Sequence, residues 1–259
     1  MSVARDVRPG PAADSVCGVN PAAGALAIVQ ARMSSARLPG KTLADVEGEP
    51  MLALLLGRLN HARRIGGIVV ATSTDALDDP IVELAESKGV EVSRGPREDV
   101  LGRFLIAIGD RDGPIVRITG DCPLIDPSVV DEVIERFLSV PECGYASNIE
   151  PRTFPDGLDV EVVAAAALRT IAEEPLTVED REHVTSAIRA QPRCFRHAAL
   201  ISPQDLGELR WTVDELEDLE FIRRVVRRLG NRRKEAGLAE ILAAVRRAPS
   251  LAAFCGRRG

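Results

Sequence analysis

The sequence predicts an α/β layered domain built on a mixed sheet. From Ala25 onward, short apolar runs alternate with longer stretches of helical periodicity. The 259 residues are 45% hydrophobic and 28% charged, which suits one large domain around a continuous core. No apolar run approaches the roughly 20 residues needed to span a bilayer, so a membrane span is not expected. The same composition excludes collagen, coiled coil and wholesale disorder, and no internal repeat recurs.

In the first half the strand candidates are Leu26–Val29, Ile68–Ala71, Val90–Val92 and Ile115–Ile118. Between them lie helix candidates Met51–Arg64, Asp79–Lys88 and Val100–Gly109, with Pro50 and Pro80 where a helix start tolerates proline. That order, β-α-β-α-β-α-β, predicts parallel pairing through right-handed crossovers. The second half is less regular. A helix is predicted over Pro127–Leu138, short runs around Tyr145–Ile149 and Leu158–Val163, then helices near Ala164–Glu173 and Val178–Ala190. Cys194–Leu200 and Arg210–Val213 are further strand candidates, so a mixed sheet with an inserted or projecting segment is expected. The helix Glu215–Leu229 places Leu216, Leu219, Ile222, Val225, Val226 and Leu229 on one face and Arg223, Arg224, Arg227 and Arg228 on the other, which marks a solvated basic face.

The net charge of −6 argues against a phosphate-backbone footprint, so no nucleic-acid partner is expected. Of 33 Lys and Arg only Lys41, Lys88 and Lys234 are lysines, which makes each retained lysine informative. The cysteines (Cys17, Cys122, Cys143, Cys194 and Cys255) form no CxxC pair, and a reducing cytoplasm is the expected setting. Residues 1–24 carry Arg5, Asp6, Arg8 and Asp14 and no apolar segment, so they read as a disordered tail rather than a signal peptide.

The most informative stretch follows the first strand: Gln30-Ala31-Arg32-Met33-Ser34-Ser35-Ala36-Arg37-Leu38-Pro39-Gly40-Lys41-Thr42. A loop there lies at the carboxyl end of a parallel sheet, where open α/β sheets bind ligands. Its small residues let backbone N–H groups close on an anion, and Arg32, Arg37 and Lys41 can neutralise a triphosphate. Gly40-Lys41-Thr42 ends like a Walker A motif, but Ser35 stands where the first glycine belongs and Leu43–Pro50 does not continue as a helix. A P-loop is therefore disfavoured, and a charged surface loop is the remaining bland alternative. Asp214 alone would read as an N-cap with Glu217, Asp159 as a strand-edge acid facing water, and His183 as a satisfied helix histidine.

Taken with seven further segments, the loop resembles the spore-coat-polysaccharide cytidylyltransferases, relatives of the synthetases that make CMP-acylneuraminate and CMP-3-deoxy-manno-octulosonate. The segments are Ala71-Thr72-Ser73-Thr74, the stretch Arg94–Arg103, Arg117–Asp126, Tyr145-Ala146-Ser147-Asn148, Pro155–Glu161, Arg181-Glu182-His183-Val184-Thr185 and Leu209–Asp214. They run in order from about Leu26 to Val226.

The resemblance implies a three-layer α/β/α fold of the nucleotide-diphospho-sugar transferase (GT-A-like) kind with a projecting dimerisation segment. It implies a cytidylyltransferase domain over 25–230; the tail over 1–24 and a basic extension with a short helix over 231–259 lie outside the resemblance. The implied reaction is transfer of CMP from CTP to a sugar or sugar-acid acceptor with release of pyrophosphate, in a cytoplasmic homodimer that serves surface glycan synthesis. Arg32, Lys41, Asp121 and Asp214 are the implied catalytic residues, with Mg²⁺ held by Asp121 and Asp214. Leu216 replaces the proline usual in the family's last motif. The nucleotide falls to Gln30, Ala31, Arg32, Ser34, Arg37, Lys41, Thr72, Arg94, Asp99, Arg103 and Asp121; which of Arg94, Asp99 and Arg103 meets the base stays open. Asn148, Arg152, Asp159, Glu161, Glu182 and His183 are implied on the acceptor side, with Asp159 open between acceptor and metal. Two alternatives are a glycosyltransferase using a nucleotide sugar, for which Asp110-Arg111-Asp112 is the candidate metal motif, and a non-catalytic nucleotide-binding module.

Overall fold

The computed structural model describes residues 24–247; the expected tail up to residue 23 and the chain beyond 247 lie outside the described residues. A seven-stranded mixed sheet runs in the order β5-β4-β1-β6-β8-β7-β9. The strands are β1 (Ala25–Gln30), β4 (Ile65–Ser73), β5 (Glu91–Gly95), β6 (Pro114–Thr119), β7 (Cys143–Ser147), β8 (Glu161–Ala164) and β9 (Arg196–Ala199). The first four pair in parallel, as the alternating pattern predicts, while β8 is antiparallel to both its neighbours. A two-residue hairpin, β2 (Asp45–Val46) and β3 (Glu49–Pro50), occupies the stretch after Lys41 that a P-loop would make helical.

Helix α1 (Met51–Leu59) is apolar on every side, and eight of its nine residues are buried. It joins the two hydrophobic clusters: Leu52, Leu55, Leu56 and Leu59 face the sheet cluster, and Met51 and Leu54 face a second cluster with Trp211, Val213 and Ile222. It ends at Leu59 instead of Arg64, because β4 starts at Ile65 to meet Ala25 of β1. Helices α2 (Asp79–Ser87), α3 (Val100–Ile108) and α4 (Pro127–Ser139) follow the prediction closely.

The region Tyr145 to Arg196, expected to project, adds β7 and β8 to the sheet and lays α5 (Ala165–Ala172) on β8, while two short helices that follow pack on α3 and α5. Three expected elements differ. The run Leu158–Val163 pairs only from Glu161, and Arg210–Val213 is no strand but a single bridge to Asp156. The helix expected over Val178–Ala190 is two, α6 (Val178–His183) and α7 (Ser186–Arg189), parted at Val184 with φ 57°. A β-branched residue in the left-handed region is strained, and the break lets the Thr185 hydroxyl reach Glu161 Oε1 at 2.6 Å.

Helix α8 (Leu216–Leu229) buries Leu219, Ile222, Val225 and Val226 as expected, while Leu216 lies exposed. Helix α9 (Leu238–Arg246) packs on α8 and contributes Ile241 and Val245 to the second cluster. No helix among the described residues is long and apolar enough to cross a membrane.

Candidate functional site

The loop after β1 turns back on itself. Gly40 N–H donates to Met33 O at 2.9 Å, and Gly40 takes φ 76°, a conformation that suits glycine. The loop is tied to the end of β4 by Asp78, whose buried carboxylate accepts from Met33 N–H at 2.7 Å and from Ser73 N–H at 3.1 Å. Burial pushes the Asp78 carboxyl up, but these donors outweigh it and hold it below the usual carboxylate range. Its stabilisation is therefore complete above the unfolded value near ~3.9 and is lost only as pH falls through the lower folded value. Replacing Asp78 by alanine is expected to cost about 2 kcal/mol and to loosen the loop; thermal melting and amide hydrogen exchange of the loop measure both.

The loop forms one wall of a hollow of about 400 Å³. Gln30, Ala31, Arg32, Arg37, Lys41, Arg103, Asp121, Glu182, His183 and Asp214 line it. At its floor the Lys41 ammonium uses all three donors, on Val213 O at 2.6 Å, Asp121 Oδ2 at 3.0 Å and Asp214 Oδ1 at 3.0 Å. Asp121 follows β6, Asp214 precedes α8, and the backbones meet where Val213 N–H donates to Asp121 O at 2.9 Å. Arg37 reaches Asp214 Oδ1 at 2.9 Å and Arg210 reaches Oδ2 at 2.6 Å. Burial raises the Asp214 carboxyl, yet Lys41, Arg210 and Arg37 together keep it below the usual range.

Asp214 does not cap α8. Glu215 is the N-cap, and Asp218 accepts from the N–H groups of both Asp214 and Glu215, which leaves the Asp214 carboxylate to the hollow. Leu216 in place of proline therefore disturbs neither cap nor carboxylate. Cys122, beside Asp121, is fully buried; burial and the neighbouring charges of Asp121, Asp159 and Asp156 push its thiol up, so it supplies no thiolate.

Four expected nucleotide residues stand elsewhere. Ser34 is off the lining while Ser35 is on it, and Thr72 is buried. Arg94 is engaged on Ser73 O, Asp75 O and Asp79. Asp99 caps α3 through Gly102 N–H and pairs with Arg181 at 2.9 Å.

A second hollow of about 350 Å³ adjoins the first, and Thr119 borders both. Arg117, Glu150, Arg152, Asp159, Glu161 and Arg189 line it. Asp159 holds Arg152 by two hydrogen bonds at 2.7 and 2.8 Å, so it is a paired acid inside the site, not a strand-edge acid facing water. Glu161 accepts from Arg117, Tyr145 and Thr185, and burial is outweighed there, chiefly by Arg117, so its carboxyl stays low. Asn148 clamps the backbone at Leu158 O and Val160 N–H and lines neither hollow. Glu182 and His183, expected beside the acceptor, face the first hollow, where Glu182 pairs with Arg32 at 3.2 Å. Sequence patterning gave no signal for Asp78, Arg117, Arg189 or Arg210. The Asp110–Asp112 pair lies off both hollows, with Asp112 bound to Arg169, so the glycosyltransferase alternative is not favoured.

A cytidylyltransferase family model matches residues 26–237. The chain belongs to the cytidylyltransferase family. Among curated relatives, the spore coat polysaccharide biosynthesis protein SpsF of Bacillus subtilis is 33% identical over 236 residues, covering 88% of this chain and 96% of that protein. A 3-deoxy-manno-octulosonate cytidylyltransferase of Geobacter sulfurreducens is 39% identical over 141 residues, 53% of this chain and 55% of that protein. A solved cytidylyltransferase from Leptospira borgpetersenii superposes with a TM-score of 0.82 at 28% identity, covering 91% of this chain and 98% of that one. This cytidylyltransferase therefore carries the enzyme's fold over nearly all of its described length, and the Lys41 cluster lies inside the matched residues.

Proposed function

We propose that this cytidylyltransferase transfers CMP from CTP to a sugar-acid acceptor, with the triphosphate in the first hollow and the acceptor in the second. The observation that carries the reading is Lys41 bridging Asp121 and Asp214 at the foot of a loop rich in cations. The acceptor oxygen attacks the α-phosphorus, its bond to the pyrophosphate oxygen breaks, and the acceptor proton leaves to solvent or to a nearby carboxylate. Arg32, Arg37 and Lys41 neutralise the departing pyrophosphate, so catalysis rests on positioning and charge.

Mg²⁺ fits this site. Two carboxylates from distant segments already converge on one cation, the Lys41 ammonium, within 3.0 Å. Among the described residues no group of three or more His, Cys, Asp or Glu could hold a metal. Asp121 and Asp214 would thus hold the ion together with phosphate oxygens, the sharing that Mg²⁺ favours. When bound, the metal would screen the triphosphate and polarise its α-phosphoryl group.

The acceptor hollow holds three arginines. Arg152 and Arg117 are paired with buried or half-buried carboxylates, whereas the partner of Arg189 is Glu150, which is half exposed at the rim. An acceptor carboxylate can take the place of Glu150 on Arg189, which supports an acidic sugar. Association into a homodimer through the region Tyr145 to Arg196, and a place in glycan precursor synthesis in the cytoplasm, belong to the same proposal.

A pyrophosphate-release screen with CTP, UTP, ATP and GTP over neutral and acidic sugars tests it. Release with CTP and a keto-acid sugar, abolished by excess EDTA, is expected. Release of a nucleoside diphosphate from a nucleotide sugar would sink the reading.

A further inference from the structure

A polar ladder crosses one face of the sheet beneath the two hollows. In the β1–β6 register Gln30 stands opposite Thr119 and Ile28 opposite Arg117, and in the β6–β8 register Arg117 stands opposite Glu161. Residues two apart on a strand share a face, so Gln30, Thr119, Arg117 and Glu161 all project to the same side. Gln30 lines the first hollow, Arg117 and Glu161 line the second, and Thr119 borders both.

The Arg117 guanidinium is held at two points. Nη1 donates to Glu161, and Nε donates to Gln30 Oε1 at 3.1 Å. Gln30 is the diagonal neighbour of Arg117 on the adjacent strand, a separation of roughly 7–8 Å that long side chains close. Glu161 is 3% exposed, and its other oxygen accepts from the Tyr145 hydroxyl at 2.7 Å and the Thr185 hydroxyl at 2.6 Å, so the carboxylate that anchors Arg117 is itself fixed.

Neutralising Glu161 needs one positive charge, and a lysine would supply it. The contact to Gln30 adds what a counter-charge does not, a choice between the two orientations of an amide. A guanidinium carries donors and no acceptor, so the Gln30 carbonyl must face Arg117 and the amino group must face away. That amino group makes no hydrogen bond among the described residues, on a side chain that lines the first hollow. Opposite Thr119, it stands at the border between the hollows, while Lys41 and Arg37 gather on Asp214. With the departing pyrophosphate at Lys41 and the acceptor in the second hollow, the phosphorus at that border is the α one.

We propose that Arg117 is a positioning residue, turning the Gln30 amide so that its N–H donors meet an oxygen of the α-phosphoryl group of CTP. The proposal rests on the CTP reading above. A donor set in place before the substrate arrives needs no reorientation as charge shifts on the phosphoryl oxygens. Lysine has one nitrogen to offer and cannot hold both Glu161 and Gln30 in the fixed geometry of a fork.

Calorimetric titration and phosphorus NMR of the full-length protein with CTP and Mg²⁺ test this in the wild type, Arg117→Lys, Gln30→Met and the double variant. In the wild type, bound CTP is expected to show an α-phosphorus resonance moved from its free position. Each single variant is expected to bind CTP about tenfold more weakly and to return the α resonance toward the free position, with the β and γ resonances kept. Arg117→Lys keeps a charge beside Glu161, so its melting temperature is expected to stay close to that of the wild type. Because Arg117 acts through Gln30, the double variant is expected to match Gln30→Met. Weakening of about a hundredfold in the double variant would make the two residues independent and overturn the proposal. So would an α resonance that Arg117→Lys leaves unmoved, or equal changes at all three phosphorus atoms. If Arg117→Lys does not fold, Gln30→Glu carries the test: its carboxylate keeps Arg117 paired but has no N–H, and a wild-type α resonance in that variant overturns the proposal. A wild type that binds no CTP fails the cytidylyl reading itself, before any variant is measured.

Discussion

Replacing Lys41 by alanine is expected to lower turnover about a thousandfold while the protein remains folded. Among the described residues the ammonium joins Val213 O, Asp121 and Asp214, and on the proposed placement of the triphosphate its loss removes a charge that would face the departing pyrophosphate. Loss of one preorganised donor or cation at a phosphoryl-transfer centre costs on the order of 10²–10⁵ in rate. The fold survives because Arg37 and Arg210 still hold Asp214, and the Val213-to-Asp121 backbone hydrogen bond does not involve the side chain. Arginine does not rescue the variant, since a planar fork cannot donate to three oxygens arranged around a point. Steady-state pyrophosphate release with a parallel melting curve is the measurement. Activity within tenfold of wild type would remove Lys41 from the chemistry.

The largest stability effect is expected at Arg58. It is fully buried inside α1 and donates to three backbone carbonyls: Ile125 O at 2.7 Å, Ala236 O at 2.6 Å, and Arg233 O. Burial lowers its pKa to about 10, with Asp126 and Glu240 acting the other way, so it keeps its proton at neutral pH. Leucine fits the volume poorly and leaves three carbonyls without donors, a cost of about 4 kcal/mol. At roughly 2–4 °C per kcal/mol for a chain of this size, the melting temperature falls by about 10 °C. Lysine should recover little, because one ammonium cannot reach three separated carbonyls. A melting temperature unchanged by Arg58→Leu would show that these hydrogen bonds contribute nothing net.

Both predictions concern contacts between residues far apart in the chain, and that separation marks what the sequence could convey. The alternation of β1, β4, β5 and β6 with α1 to α3 was legible because each element carries its own periodicity and proline or glycine punctuation. The cationic loop was legible because Arg32, Arg37 and Lys41 stand close together directly after a strand. Asp121 and Asp214, 93 residues apart (214 less 121), could be paired only through the family resemblance, and the structure brings both onto Lys41.

What stayed hidden has no local pattern. Asp78 lies in a short turn whose sequence says nothing of the distant Met33 N–H it accepts from. Arg58 reads as a polar interruption in an apolar helix until the carbonyls of 125, 233 and 236 are placed around it. Partners of the motif residues were hidden for the same reason: Asn148 and Asp99 match the family's motifs, and the structure shows them engaged by backbone groups and, for Asp99, by Arg181. Helix α6 and α7 look continuous in sequence because nothing in Glu182-His183-Val184-Thr185 announces a residue with positive φ.

The shared wall at Thr119 has a stereochemical meaning. On the proposed placement, with the pyrophosphate toward Lys41 and the incoming oxygen from the arginine-lined side, the two apical positions around phosphorus would belong to different chambers. A single displacement across that partition would turn the phosphorus centre inside out once, so a chiral α-phosphorothioate is expected to leave with its handedness reversed.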